Sequence, residues 1–201
     1  AGAATAMLLA REGKKVLMLD RDAAGSDMPM STHMIWHGGV KLLADWGLLE
    51  KLKATGCTPM RTFDLDMGEF HLVGKAPPAG DVDAAYGPKR EVLDSLLADE
   101  AVAAGVEYRD EVSVTDIIQA DGTVVGVRFT DENGEGEARA RIVVGADGRN
   151  SRIAKLVGAE ESNALHNAQG TYFAYFENLP LNDMEFVSRP GRMFYSWASN
   201  D

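Results

Sequence analysis

Cysteine is almost missing from this chain: Cys57 stands alone, so an intramolecular disulfide is impossible and a zinc cluster of several thiolates is excluded. A reducing, cytoplasmic setting is expected. Basic charge is also scarce, with 20 Lys and Arg against 31 Asp and Glu and a net charge of −11. That balance repels a phosphate backbone and gives no support for nucleic-acid or anionic-membrane binding; an anionic cofactor would need a local site. Charges or glycines interrupt every apolar run before the roughly 18–20 residues needed to span a bilayer, so no transmembrane segment is expected. Internal repeats, low-complexity tracts and a Gly-x-Ser-x-Gly nucleophile elbow are lacking, and no basic residue adjoins Cys57 to lower its pKa. His33 and His37 are four apart but sit in a Gly/Thr-rich stretch without the Glu of a zinc-protease helix, and with His71 and His166 they complete no metal set, so metal binding is not expected.

What is present is a globular composition, 45% hydrophobic and 25% charged with 21 glycines over 201 residues, enough for one domain or two closely joined ones. Ala3 to Arg11 is rich in helix formers and Gly13 stands where a C-terminal cap belongs. Val16-Leu17-Met18-Leu19 then reads as a buried parallel strand closed by Asp20, so helix and strand form the second half of a βαβ unit. The chain opens inside that helix, and residues before Ala1 are expected. Val40 to Leu52 has helical spacing broken at Gly47, Phe63 to Val73 alternates as strands or a hairpin, and Pro88 to Ala104 is the strongest helix, stopped by Gly105. Three strands at about 112–118, 124–130 and 138–144, separated by Asp121-Gly122 and Asn133-Gly134, predict an antiparallel meander. Ser151 to Val157 predicts a short helix, and about Thr171 to Ala198 reads as aromatic-rich strands.

Three motifs carry chemistry. Gly2, at the head of the first helix, permits the close approach of backbone amides to a pyrophosphate, and Asp20 lies at the strand end where an acidic residue takes ribose hydroxyls. Close packing for Gly2 and a solvated strand end for Asp20 are the bland alternatives. Arg90 opens an amphipathic helix, where the macrodipole mildly disfavours a cation unless an anionic partner is present; a phosphate or a plain salt bridge would both serve. In Val143-Val144-Gly145-Ala146-Asp147-Gly148-Arg149-Asn150-Ser151 a buried strand is expected to end in a turn before a helix. Asp147 can accept from the following amides or from a ribityl hydroxyl, and Gly148 permits positive φ.

This order of motifs resembles the FAD-dependent flavoprotein monooxygenases, or aromatic-ring hydroxylases, and their geranylgeranyl-reductase-like relatives, over nearly the whole chain. The resemblance implies an α/β fold: a Rossmann-like FAD-binding domain with a parallel sheet and an antiparallel meander, followed by the start of a β-rich substrate domain. Residues 1–60 and 86–160 would form the two parts of the FAD-binding domain, 61–85 an excursion into the substrate domain, and 161–201 its truncated start. Gly2 would be the last glycine of the phosphate loop, Asp20 the ribose acid and Arg21 a neighbour of the adenosine end. Arg90 would contact FAD, Val114 would meet adenine through its backbone, and Asp147 and Gly148 would belong to the Asp-Gly motif associated with FAD and reduced pyridine nucleotide. Thr32 would bind cofactor within Ser31–Val40, the stretch that passes beside the flavin ring. Many hydroxylases carry Arg where His37 falls, which tilts the resemblance toward the reductase-like branch.

The implied activity is that of an FAD-dependent oxidoreductase, with NAD(P)H as donor, that hydroxylates an apolar or aromatic small molecule or reduces an alkene. Aromatic residues among Tyr172, Phe173, Tyr175, Phe176, Phe194, Tyr195 and Trp197 would fill a core or face such a substrate. His37 is a candidate residue beside the reacting flavin. The front of the phosphate loop would precede Ala1 and a closing Gly-Asp motif would follow Asp201, so the fragment is expected to hold FAD weakly or not at all. An NAD-binding or non-catalytic α/β module is the alternative. No catalytic residue and no oligomeric state is assigned.

Overall fold

The computed structural model describes residues 1–26, 34–164, 170–181 and 183–200. In chain order its elements are α1 (Gly2–Arg11), β1 (Leu17–Leu19), α2 (His37–Asp45), α3 (Leu49–Ala54), β2 (Pro59–Met60), β3 (Phe63–Asp66), β4 (His71–Gly74), β5 (Ala85–Tyr86), α4 (Arg90–Ala103), β6 (Glu107–Arg109), β7 (Ser113–Ala120), β8 (Thr123–Asp131), β9 (Gly134–Arg139), α5 (Arg152–Leu156), β10 (Met184–Arg189) and β11 (Arg192–Trp197). They divide between two units, Ala1–Ser26 with Leu97–Thr171 and Asp27–Leu96 with Tyr172–Asp201, the division falling within α4.

In the first unit, α1 ends where Gly13 turns the chain at φ 73°, and β1 pairs in parallel with β6, Leu17 opposite Glu107 and Leu19 opposite Arg109. Short as it is, this pair gives the fold its parallel sheet. β1 is half-buried rather than buried, because among the described residues only β6 pairs with it. The meander β7-β8-β9 is antiparallel throughout. Asp121 and Gly122, at φ 49° and 74°, occupy the two positive-φ positions that a two-residue hairpin turn demands. A β-bulge between Val114 and Asp116 shifts the pleat. Gly126 lets β9 close on β8, since a Cβ there would stand 2.3 Å from the Ala138 carbonyl oxygen.

The second unit carries a four-stranded sheet of order β11-β10-β3-β4. β3 and β4 form the expected hairpin, whereas β10 lies parallel to β3 with Met184 opposite Phe63. Cross-strand neighbours share a face, so the register puts Phe63, Leu65, Leu72, Met184, Phe186, Tyr195 and Trp197 on one side. The opposite side holds most of the charge, including Asp64, Asp66, His71, Glu185 and Arg189. Met60, Phe63, Ala85 and Met184 form the buried cluster beneath the apolar side, with Met34, Phe186 and Trp197 packed against it. α2 and α3 are separated at Gly47, φ 76°, and bury Val40, Leu43 and Leu52.

Two expected strands are corrected. The third meander strand is Gly134–Arg139, and residues 141–147 are not strand. Ile142 is 77% and Val144 55% exposed, since beyond the Ala140 amide to the Val125 carbonyl (2.9 Å) no strand among the described residues pairs with this stretch. Likewise only residues 184–197 of the aromatic-rich tail form strands. Residues 171–176 are irregular, with Tyr172 98% and Phe176 76% exposed, so these aromatics form no core.

Candidate functional site

A nucleotide site built on a βα unit needs free amides at a helix N-terminus and an acid at a strand end. In the first unit, α1 opens on Gly2 and carries no acid in its first turn. A Cβ built on Gly2 would lie 3.5 Å from the Ala146 Cβ, which sets the head of α1 directly against the Gly145–Gly148 turn. Two motifs 144 residues apart are thus brought together, and Gly2 and Gly148 are both placed at this junction, Gly148 at φ 81°.

Asp147 is fixed within the turn. Its carboxylate accepts hydrogen bonds from the Ser151 hydroxyl (2.5 Å) and from the Arg152 and Ile153 amides (2.6 and 3.1 Å). Partial burial pushes the carboxyl up, but the bonds from Ser151, Ile153 and Arg152 outweigh it, and the net pKa is below the ordinary carboxylate value. Ser151 in turn accepts from the Ala154 amide at 2.9 Å as the N-cap of α5. α5 packs on the turn so closely that a Cβ on Gly145 would stand 2.9 Å from the Ile153 side chain. The Arg152 guanidinium reaches the Thr115 carbonyl oxygen (2.9 Å), which ties the bulged backbone next to Val114 to the same turn.

Asp20 closes β1. Its amide donates to the Arg109 carbonyl (3.0 Å), its carbonyl accepts from Val112 (2.8 Å), and its exposed carboxylate accepts from the Asp22 amide (3.2 Å). Arg21 is exposed as well and its Nε lies 3.4 Å from Asp22. A glycine admitting close approach, a rigid glycine turn and an exposed acid at the strand end are residues that could hold the adenosine and phosphate portion of a dinucleotide.

Arg90 belongs to the second unit, where it opens α4 and grips Asp94 with Nε and Nη2 at 3.1 and 2.7 Å. The plain salt bridge foreseen for it is what its side chain makes. Thr32, with His33 and His166, lies outside the described residues. Cys57 is 3% exposed and burial pushes its thiol up to about 11, against the hydrogen bond with the Gly87 backbone. It is no nucleophile.

The second unit contributes a different surface. Trp36, 45% exposed, stacks on Phe63 (5.1 Å between ring centroids) and on Phe186 (6.5 Å), and Phe186 meets Tyr195 edge-on at 5.9 Å. The apolar side of the sheet is therefore buried at its Phe63–Met184 end and open beyond, where Leu72 is 56% and Tyr195 42% exposed. Tyr195 and Trp197 are legible in the sequence as candidates for such a wall, whereas Trp36, Leu65 and Phe186 are not, since their shared face follows from the parallel pairing of β10 with β3, strands about 120 residues apart that no local pattern reveals. His37 begins α2 and is 5% exposed, its ring tilted against Phe63 at 6.1 Å. A separate open groove of about 320 Å³ is lined by Val40, Ala44, Lys53, Arg61, Asp83 and Tyr86. Its cations already pair, Lys53 with Glu50 at 2.7 Å and Arg61 with Asp83 at 3.4 Å.

Known proteins resemble this chain over most of its length. The sequence profile of the family described as "FAD binding domain" matches residues 1–192. The chain is 32% identical over 164 residues to digeranylgeranylglycerophospholipid reductase 2 of Methanopyrus kandleri, covering 79% of this chain and 37% of that protein. It is 30% identical over 175 residues to protein FixC of Salmonella typhi, covering 85% and 40%. The chain thus spans less than half the length of these relatives. Among solved structures, a variant of PqsL from P. aeruginosa superposes with a TM-score of 0.78 at 17% identity, over 99% of this chain and 55% of that one. p-Nitrophenol 4-monooxygenase PnpA of Pseudomonas putida DLL-E4 superposes with a TM-score of 0.67 at 19% identity, over 78% and 40%. Among the described residues no helix is long and apolar enough to cross a membrane.

Proposed function

Because the chain belongs to the FAD-binding domain family, we propose that it is part of an FAD-dependent oxidoreductase, NAD(P)H-linked and cytoplasmic, that hydroxylates an apolar or aromatic small molecule or reduces its alkene. The observation that carries this reading is the contact of Gly2 with the Gly145–Gly148 turn, which brings the head of α1 and the Asp-Gly segment together as one receptor for a dinucleotide. In this reading the α1 amides hold the pyrophosphate, Asp20 takes the adenosine ribose hydroxyls with Arg21 beside them, and the Val114 backbone meets adenine. The Gly148 backbone borders the cofactor, while Asp147 acts by holding the turn in shape. Arg90 reaches the cofactor by exchanging Asp94 for a phosphate, and Thr32 belongs to the same set. The flavin, when bound, supplies the redox chemistry; the protein binds and orients it.

The open apolar side of the β11-β10-β3-β4 sheet suits a substrate wall, as it presents rings and aliphatic side chains without a charge. Between the two reactions, the Methanopyrus kandleri relative is a reductase, and this favours alkene reduction. Full-length protein with FAD should show oxidised-flavin absorption, and Asp20→Ala should weaken FAD binding by about 1–3 kcal/mol, the range for a lost charged hydrogen-bond partner. Unchanged affinity would remove Asp20 from the site. A second reading, an NAD-binding or non-catalytic module, draws on two facts: Arg90 is held by Asp94 and Asp147 is occupied in capping α5. A colourless full-length protein protected by NAD rather than FAD would select it.

A further inference from the structure

The open groove beside α2 and α3, about 320 Å³ in volume, falls within the size range of small-molecule sites. Its described lining shares no residue with the glycine turn or with the ring-bearing side of the sheet. Buried Val40, Val82, Ala84 and Tyr86 make its floor, and Glu50, Lys53, Arg61, Asp81 and Asp83 stand around it. Donors gather on the α3 side. Tyr86 is 2% exposed, and the charges acting on its phenol include Lys53, Arg61 and Glu50, all three of which line the groove, so the hydroxyl is directed into it. Burial pushes the phenol above its ordinary value, and at neutral pH it keeps a proton to donate. The Arg61 guanidinium meets Asp83 through Nε at 3.4 Å, a long contact that leaves the planar fork of its two Nη nitrogens to another acceptor. Lys53 gives one of its three donors to Glu50 at 2.7 Å. The α2 side is different. A Cβ on Gly80 would stand 3.0 Å from the Lys41 Cε, which sets Asp81 beside that lysine; Lys41 is attracted by both Asp45 and Asp81 but pairs with Asp45. Two carboxylates thus share one ammonium, and negative charge is in surplus at Asp81.

We propose that this groove binds a small zwitterion with an apolar body, an amino acid of about the size of leucine, with its carboxylate on the Arg61 fork and the Tyr86 hydroxyl, its ammonium at Asp81 and its hydrocarbon on Val40, Val82 and Ala84. Charge decides among the occupants. The lining carries two cations, Lys53 and Arg61, and three carboxylates, Glu50, Asp81 and Asp83, so a bare anion meets net repulsion. A bare cation would leave the fork and the phenol without an acceptor, and a plain hydrocarbon would desolvate both for no return. A zwitterion answers both ends of the groove and covers its apolar floor. None of these residues belongs to the proposed cofactor set, so the site stands or falls apart from the flavin.

The test titrates the full-length protein, by saturation-transfer NMR, with three molecules that share one apolar body: L-leucine, 4-methylpentanoate, which lacks the ammonium, and 3-methylbutylamine, which lacks the carboxylate. Leucine should bind about tenfold more tightly than either, the effect of one charge-assisted hydrogen bond at a partly screened site. Asp81→Asn should bring leucine down to the level of 4-methylpentanoate while binding 4-methylpentanoate no more weakly than wild type does. Arg61→Gln and Tyr86→Phe should weaken leucine and 4-methylpentanoate alike and spare the amine. Failure of leucine to bind overturns the site, and equal binding of the acid or the amine overturns the zwitterion. So does a leucine preference that survives Asp81→Asn. Asp81 is exposed and its replacement leaves the core untouched, so that comparison decides the matter even where a change at buried Tyr86 disturbs folding.

Discussion

Replacing Asp147 with Ala tests the claim that this residue shapes the turn at the head of α5. The substitution deletes three acceptor contacts, to the Ser151 hydroxyl and the Arg152 and Ile153 amides, and two of these are orphan amides of the first helical turn. Loss of a capping side chain costs about 1 kcal/mol and charge-assisted bonds up to about 3. The site is exposed, which screens the charge, so about 1–2 kcal/mol is the reasoned figure. Because α5 is five residues long and buries none of them, the loss should appear as local fraying. Hydrogen exchange of the segment 151–157 in the full-length protein should accelerate by roughly 5–30-fold at neutral pH. The sign with pH follows from the depressed pKa of Asp147. Its contribution is complete above the unfolded carboxyl value of about 3.9 and fades as pH falls through the lower folded value, so the difference between wild type and variant should vanish in strong acid. Equal exchange at neutral pH, or a difference that persists undiminished below the folded value, would refute the reasoning.

Three further outcomes are expected. Asn200, 8% exposed, accepts from the Lys89 amide (3.0 Å) and donates to the Thr55 carbonyl and hydroxyl (3.0 and 2.7 Å); Asn200→Ala should cost about 2–3 kcal/mol by denaturant melting, and Asn200→Asp, which keeps only the acceptor, should also destabilise. The Arg189 guanidinium holds the Asp66 carboxyl down at about 2, so the pair should persist through pH 4 and be lost only as pH falls toward 2; an NMR titration of the Asp66 carboxyl with an ordinary midpoint would contradict the pairing. Cys57, pushed up to about 11 by burial, should resist a thiol-alkylating reagent at pH 8 in the native protein and react after denaturation, as mass spectrometry would show.

Much of the fold was legible because its signals are local. Gly13, Gly47 and Gly105 end or break helices at positive φ, the Asp-Gly turn sets the β7–β8 hairpin, and the spacing around Pro88 marks α4, each decided within a few residues. The candidate site was legible in part for the same reason. Asp20 falls where a strand stops, and Asp147 lies in a turn that the sequence spells out. What failed was the expectation of strand where no ladder partner stands. Residues 141–144 have the composition of a buried strand, but a strand is made by its ladder partners, and among the described residues this stretch has none, so Ile142 and Val144 stay exposed.

The same dependence explains why the apolar face of the second unit's sheet is not legible in the sequence. Trp36 and Phe186 meet because β10 inserts beside β3 in parallel, and that pairing depends on long-range packing rather than on the periodicity of either segment. Once β10 is seated, the alternation of Phe63-Asp64-Leu65-Asp66 with Met184-Glu185-Phe186-Val187 sends rings to one side and most charges to the other. Slipping β10 by one residue would bring Glu185 onto the aromatic side opposite Phe63 and turn Phe186 toward Asp64. Arg189 then decides the register: its grip on Asp66 at 2.7 Å forms on the charged side only in the observed alignment. Arg189→Leu should therefore loosen the sheet's register and disorder Phe186, read as faster hydrogen exchange across residues 184–187. Unchanged exchange there would refute the role given to the Arg189–Asp66 pair.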